Sequence, residues 1–328
     1  MTLNSFSRMH RYRQSPNLRK MLSEHKLHRS DFIYPLFVSE RLKEGKKESI
    51  KGLPGVFQHS VKSVLDECDR AVSKGILSII LFGIPELKDL VASQSYVSNG
   101  IVQTVIKKIK SKYPELYVIA DLCLCSYTSH GHCGVLKNNK LDNDETLLIM
   151  NKIACSYAVA GVDCVAPSGM MDGTVQSLRR ALDSDGHSSV SIMAYSSKFA
   201  SSLYGPFREA SGVSHSFKGD RKGYQIAPTQ FKEGLTEAAL DFEEGADFVI
   251  VKPALWYMDI IKTLSEEGVL PVVGYHVSGE YSMIKAASEA EMLDETLAMR
   301  EAMLCLKRAG CSLIISYAAC DVVCDSDY

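Results

Sequence analysis

GADFVIVKP, residues 245 to 253, decides how the rest of the chain is read. Phe248, Val249, Ile250 and Val251 form an unbroken apolar run between Gly-Ala-Asp and a proline, the pattern of a short strand buried on both faces. Lys252 closes that run. An ammonium moved out of water loses hydration, so burial favours its neutral form and turns a lysine into a nucleophile toward ketones. A lysine at a strand end otherwise carries its charge out to solvent. Lys198, which closes the run VSIMAYSS over 190 to 197, is a second candidate of the same kind, and two such lysines predict one shared pocket.

Working outward, apolar runs recur at 32–38, 76–83, 117–124, 162–168, 190–196, 246–253, 271–279 and 312–319. Between them lie stretches with apolar residues at spacings of three and four, such as VLDECDRAVSKG, LLIMNKIACSYAVAG and LAMREAMLCLKRAG. Several end in glycine just before the next run, at Gly75, Gly161, Gly245, Gly268 and Gly310, where a left-handed residue returns the chain to a sheet. Buried strands alternating with helices predict a parallel sheet, and eight units predict an α/β fold closed as a (β/α)8 TIM barrel. An open doubly wound sheet is the competing architecture, but no G-x-G-x-x-G follows an early strand. A barrel occupies about 250 residues as one unit, so the 328 residues divide into an N-terminal arm over 1–30 and a catalytic barrel over 31–328.

The composition, 46% hydrophobic and 23% charged, is that of a soluble globular protein, and a net charge of -2 gives no reason to expect nucleic acid or an anionic membrane as partner. No window approaches a membrane span, and the N-terminus lacks the apolar core of a secretory signal. The expected location is the cytoplasm. Residues 1–23 carry five arginines and lysines and no acid before Glu24, which reads as an arm gripping a neighbouring subunit or as a cleaved import segment. The ten cysteines do not resemble a secreted disulfide framework.

In a barrel the strand ends share one mouth, and the polar residues there are Asp121, Cys123, Ser168, Lys198, Lys252, Ser278 and Tyr317. The stretch DLCLCSYTSHGHCG, 121 to 134, sets Cys123, Cys125 and Cys133 in a C-x-C-x7-C spacing, with His130 and His132 as competing ligands. Three thiolates suit zinc and leave a fourth position open. The polar segment 199–224, with Gly205, Gly212, Gly219 and Gly223, reads as an active-site lid, and Arg208 and Arg221 within it suit a carboxylate.

From about Met9 to Ala319 the chain resembles the porphobilinogen synthase (5-aminolevulinate dehydratase) family. The matching stretches include IYPLFV, DLCLCSYTSHGHCGVL, AVAGVDCVAPSGMMDG, IMAYSSKFAS, YGPFREA, GDRKGYQ, EEGADFVIVKPALWYMDII and GYHVSGEYSMIKAA. The resemblance implies condensation of two 5-aminolevulinate molecules to porphobilinogen with loss of two waters, in haem synthesis. It implies Schiff bases on Lys252 and Lys198, and zinc on Cys123, Cys125 and Cys133. It places Arg208, Arg221 and Gln225 on the second substrate's carboxylate, and Ser278 and Tyr317 on the first. Asp121 and Ser168 then lie near the reacting amino groups, with Tyr204 and Phe207 as wall and lid. It further implies an allosteric magnesium at Glu237 and a homo-octamer. Two positions depart from the family's APSDMMDGR, Gly169 and Thr174, and the tail with Cys320 and Cys324 is atypical. A Schiff-base aldolase of another keto acid or sugar would also use Lys252 and a barrel, but it needs neither a second lysine nor a metal.

Overall fold

All eight apolar runs contain a strand, and the strands close on one another. The computed structural model describes residues 8–213 and 221–325. In chain order it runs α1 (Pro16–Met21), β1 (Phe32–Ser39), the hairpin β2 (Lys47–Ser49) and β3 (Phe57–His59), α2 (Val61–Ser73), β4 (Ser78–Ile84), α3 (Ile101–Lys112) and β5 (Tyr117–Leu122). A small hairpin follows, β6 (Val135–Lys137) and β7 (Lys140–Asp142), then α4 (Asn143–Ala160), β8 (Cys164–Pro167), α5 (Thr174–Ser184), β9 (Ser191–Lys198) and α6 (Gly205–Ala210). The chain ends with α7 (Phe231–Glu243), β10 (Phe248–Lys252), α8 (Met258–Glu267), β11 (Val272–His276), α9 (Ser278–Glu289), α10 (Glu295–Ala309) and β12 (Leu313–Ser316).

Strands β1, β4, β5, β8, β9, β10, β11 and β12 pair in parallel in that order, and β12 returns to β1 through Phe32↔Ile314 and Ile33↔Ile315. The result is a closed (β/α)8 TIM barrel. Every residue of β1 and of β11 is buried, which is why these strands read as unbroken apolar runs. Helix caps fall where the glycines predict them. Gly161 ends α4 at φ +94°, and Gly310 ends α10 at φ +116°, where an added Cβ would run into the Ser265 side chain.

One irregularity matters for the mouth. β9 and β10 pair as Val249↔Ala194 but then as Val251↔Ser197 and Lys252↔Lys198, so β9 carries one extra residue. Such a bulge leaves two residues opposite one and re-aims the side chains beyond it.

The arm is exposed over α1 and enters the barrel through Leu27, which is fully buried. Leu27 N donates to Asp325 Oδ2 at 2.8 Å and Asp325 N to Leu27 O at 3.0 Å, tying arm to tail. Residues 1–7 of the predicted arm lie outside the described residues. Cys320 and Cys324 are buried in the main core, which accounts for the tail's apolar thiols as packing.

The sequence reading carried several strands too far. Ser278 is the first residue of α9, and Tyr317 lies just past β12. The segment after β9 is also more ordered than a polar loop: a 3-10 turn, Ser202–Tyr204, leads into α6, and Leu203, Tyr204 and Ala210 are buried against the barrel. Residues 214–220, including Gly219, lie outside the described residues. Among the described residues no helix is long and apolar enough to cross a membrane.

Candidate active site

Two strand ends carry the amines. Lys198 and Lys252 are direct register partners on β9 and β10, 5% and 4% exposed, so both ammonium groups are held out of water at one end of the barrel. Their Nζ atoms lie over the same ring, Tyr195, at 5.3 Å and 5.1 Å from its centroid. Lys252 is further walled by Tyr275 at 4.1 Å, Phe207 at 4.8 Å and Tyr204 at 5.4 Å. Lys198 Nζ donates to Ser168 O.

Burial pulls Lys252 down to about 7, and the neighbouring Lys198 charge pulls the same way; Asp121, Cys125 and Cys123 oppose them. Aromatic faces soften the loss of hydration without supplying a counter-charge. Asp121, half-buried near the end of β5 with its Oδ1 out of solvent, has its carboxyl pushed up to about 6 by desolvation against the pull of Lys252 and Lys198. Ser168 and Tyr195 also act on that carboxyl.

Activity that needs the free Lys252 amine therefore has an acid limb. With a folded value near 7, below the ordinary 10.5, half the amine is neutral at pH 7 and about tenfold less remains per unit below it. kcat/KM measured from pH 5 to 9 is expected to fall by about tenfold per pH unit below 7. A profile flat down to pH 5 contradicts the assignment.

Beside the amines lies the sulfur cluster. The Sγ atoms of Cys123, Cys125 and Cys133 all lie within 4.8 Å of one another, and Cys123 and Cys125 are 3.3 Å apart. Three sulfurs bound at about 2.3 Å to a tetrahedral zinc stand roughly 3.8 Å apart, so the buried triad fits that ion. Hydrogen bonds from Cys123 and Cys125 hold Cys133 well below the usual thiol range. Among the described residues the cluster contains no histidine: His130 Nδ1 accepts from His132 N at 3.1 Å, and His132 Nδ1 faces Tyr224 OH at 3.4 Å. Both rings thus lie outside the sulfur cluster.

Arg221 closes this side, its Nη2 donating to Gly131 O at 3.0 Å. Burial works against its charge, but the sulfurs of Cys133 and Cys125 more than restore it. Arg208 on α6 is lowered by burial and by Arg221. Gln225 is buried, and among the described residues its amide nitrogen has no hydrogen-bond partner.

On the other side, Ser278 is fully buried, donating to Leu203 O at 3.2 Å and accepting from Phe207 N at 3.1 Å. Tyr317 OH lies 3.5 Å from Tyr275 OH. Tyr204 OH lies 2.7 Å from Phe199 O and 3.1 Å from Lys252 O and shares its one hydrogen between them, joining the segment after β9 to the end of β10. Phe207 lies 5.3 Å from Phe82 and 5.7 Å from Phe37, ring to ring. The fold thus gathers every predicted mouth residue on one end.

Glu237 faces a cavity that His132, Tyr224 and Gln225 also line, so it opens onto the Arg221 side of the site. It shares this cavity of about 640 Å³ with Glu233, Asp172 and Asn143, its carboxyl raised by burial and then by Asp172 and Glu233. Gly169 sits against Cys133, where an added Cβ would meet Cys133 O at an ordinary 3.5 Å. Thr174 donates from its hydroxyl to Met171 O at 2.6 Å at the start of α5, away from both lysines.

A family model described as delta-aminolevulinic acid dehydratase matches residues 6–324. The chain belongs to the delta-aminolevulinic acid dehydratase family. A delta-aminolevulinic acid dehydratase of Halalkalibacterium halodurans is 50% identical over 97% of this chain and 96% of its own length, and that of Bacillus subtilis is 49% identical over 97% of each. The crystal structure of the delta-aminolevulinic acid dehydratase (porphobilinogen synthase) of Toxoplasma gondii, in complex with the reaction product porphobilinogen, is 39% identical and superposes with a TM-score of 0.93, covering 97% of this chain and 90% of that one. Delta-aminolevulinic acid dehydratases are lyases of porphyrin biosynthesis, and the chain is an enzyme of that class.

Sequence reasoning missed three aromatic groups that surround the lysines and the thiols, Tyr195, Tyr275 and Tyr224. Tyr195 lies three residues before Lys198, an odd spacing that alternation assigns to the opposite face, and only the bulge brings the two together.

Proposed function

We propose that this chain condenses two molecules of 5-aminolevulinate into porphobilinogen with release of two waters, through Schiff bases on Lys252 and Lys198. The observation that carries the reading is the pair of buried lysines in direct register over one aromatic ring, beside three clustered thiols.

The neutral Lys252 amine adds to the ketone of the first substrate, and loss of water gives the imine. Lys198 holds the second substrate in the same way. A protonated imine withdraws electrons, so the adjacent carbon loses a proton readily and becomes the nucleophile for carbon–carbon bond formation. Asp121, poised near neutrality between the amines, takes and returns protons there, with Ser168 beside it. Tyr195, Tyr204, Phe207 and Tyr275 keep bulk water from the imines. Arg208, Arg221 and Gln225 hold the second carboxylate, and Ser278 and Tyr317 hold the first by exchanging their present partners for it. Zinc on Cys123, Cys125 and Cys133 supplies Lewis acidity toward the second substrate when bound.

Glu237, with Glu233 and Asp172 lining the same cavity, would offer magnesium the hard oxygens it prefers, and these carboxylates would have to draw together to share one ion. The exposed arm joins copies of the chain into an octamer, and the enzyme works in the cytoplasm. The second lysine and the thiol triad are what a simple Schiff-base aldolase does not need.

Purified protein supplied with zinc and 5-aminolevulinate is expected to release porphobilinogen, read by its coloured adduct with an aromatic aldehyde. A metal-replete sample yielding no pyrrole ends the proposal.

A further inference from the structure

Glu280 is a carboxylate buried where solvent cannot reach it. It is fully buried in the first turn of α9, two residues after Ser278. Its two oxygens serve two different loops. Oε1 accepts from Leu255 N at 2.8 Å, and Oε2 accepts from Val277 N at 2.8 Å. Leu255 opens the 3-10 turn Leu255–Tyr257, three residues past Lys252, and Val277 caps α9 directly before Ser278. The N–H groups of Ala254 and Trp256 also act on the carboxylate.

The first N–H groups of a helical turn lack partners of their own, and an anion beside them is favoured by hydrogen bonding and by the local dipole. Burial nevertheless pushes the Glu280 carboxyl up to about 7, and the phenols of Tyr204 and Tyr257 lie in its field. A helix cap that served α9 alone would need one oxygen. Here the other is spent on the exit of the neighbouring strand, and β10 and β11 are adjacent in the barrel.

We propose that Glu280 is a positioning residue that locks the exit of β10 to the exit of β11 and so fixes Lys252 relative to Ser278. This inference rests on the reading above, in which these two groups hold the ketone and the carboxylate of one substrate molecule. Such a grip works only when both ends fit together, and a displacement of about 1 Å costs on the order of 100-fold in rate. A glutamine at this place can accept from one loop only, because its NH2 would face the other N–H.

The test uses full-length, zinc-loaded protein, wild type and Glu280→Gln, mixed with 5-aminolevulinate and quenched with borohydride. Label on Lys252 is located by peptide mass, and amide exchange is followed at 254–257 and 277–279 with β1 and β4 as internal reference. Labelling of Lys252 is expected to slow about 10- to 100-fold and to need more substrate for saturation. Exchange should rise at the two loops while β1 and β4 keep wild-type protection, and Glu280→Asp, which retains the charge, should recover part of the rate. Wild-type labelling in Glu280→Gln, or protection lost equally across the barrel, overturns the inference. If wild-type protein takes no label on Lys252, the Schiff-base reading fails, and the role of Glu280 built on it falls too. If Glu280→Gln does not fold, the wild type decides: the amides of Leu255 and Val277 must exchange as slowly as β10 and β11, and fast exchange there overturns the lock.

Discussion

Lys252→Met is expected to abolish porphobilinogen formation, a loss of at least about 10⁴-fold, because no other group on β10 can replace the amine as nucleophile. The same change should leave the melting temperature unchanged or raise it. Methionine fills a similar volume among Tyr195, Tyr204, Phe207 and Tyr275, and it removes an amine whose charge burial already disfavours. Removing a poorly solvated cation from such a pocket is neutral or stabilising by about 1 kcal/mol. The two readouts must diverge for the assignment to hold. Activity above about one hundredth of wild type, or a melting point that falls together with activity, assigns Lys252 a structural role instead.

The second large effect concerns the sulfur triad. Cys133→Ser is expected to reduce bound zinc to a small fraction of the wild-type content and to lower activity by about 10³-fold, the scale of several kcal/mol of Lewis-acid assistance. Serine is a hard, weakly acidic ligand and does not replace a thiolate at a buried site. Chelated wild-type protein should regain its rate when zinc is returned, whereas Cys133→Ser should not. Metal content and activity measured on the same samples check both statements. Full activity in metal-free wild-type protein removes zinc from the reaction.

The barrel was legible because a parallel strand covered on both faces must be apolar at nearly every position, as in FIYPLFVS and VVGYH. Lys252 and Lys198 were legible for a related reason: a charge closing such a run stands out. The cysteines announced themselves by spacing within one loop. Other parts were hidden by local ambiguity. PVVGYHVSG reads as one strand, yet the chain turns at Val277 and Ser278 begins a helix, because serine and glycine serve either fate. The Ser- and Gly-rich segment after β9 concealed two short helical turns whose anchors, Leu203 and Tyr204, are too few to show a period. Glu280 was hidden because a glutamate in a first helical turn looks like an ordinary cap. Its second bond crosses to the turn after β10, 25 residues earlier in the chain, and nothing local encodes that.

The extra residue in β9 has a chemical meaning. Had the pairing Val249↔Ala194 continued unbroken, Lys252 would stand opposite Ser197, and Lys198 would project from the other surface of the wall. The inserted residue makes the two lysines cross-strand partners, their backbones on the order of 4.8 Å apart, so both side chains leave the same surface of the wall. In the proposed reaction, two ketones tethered at such neighbouring posts would meet with little freedom left, which suits the closing of a five-membered ring. Deleting a single residue between Ala194 and Ser197 would separate the tethers without touching either lysine.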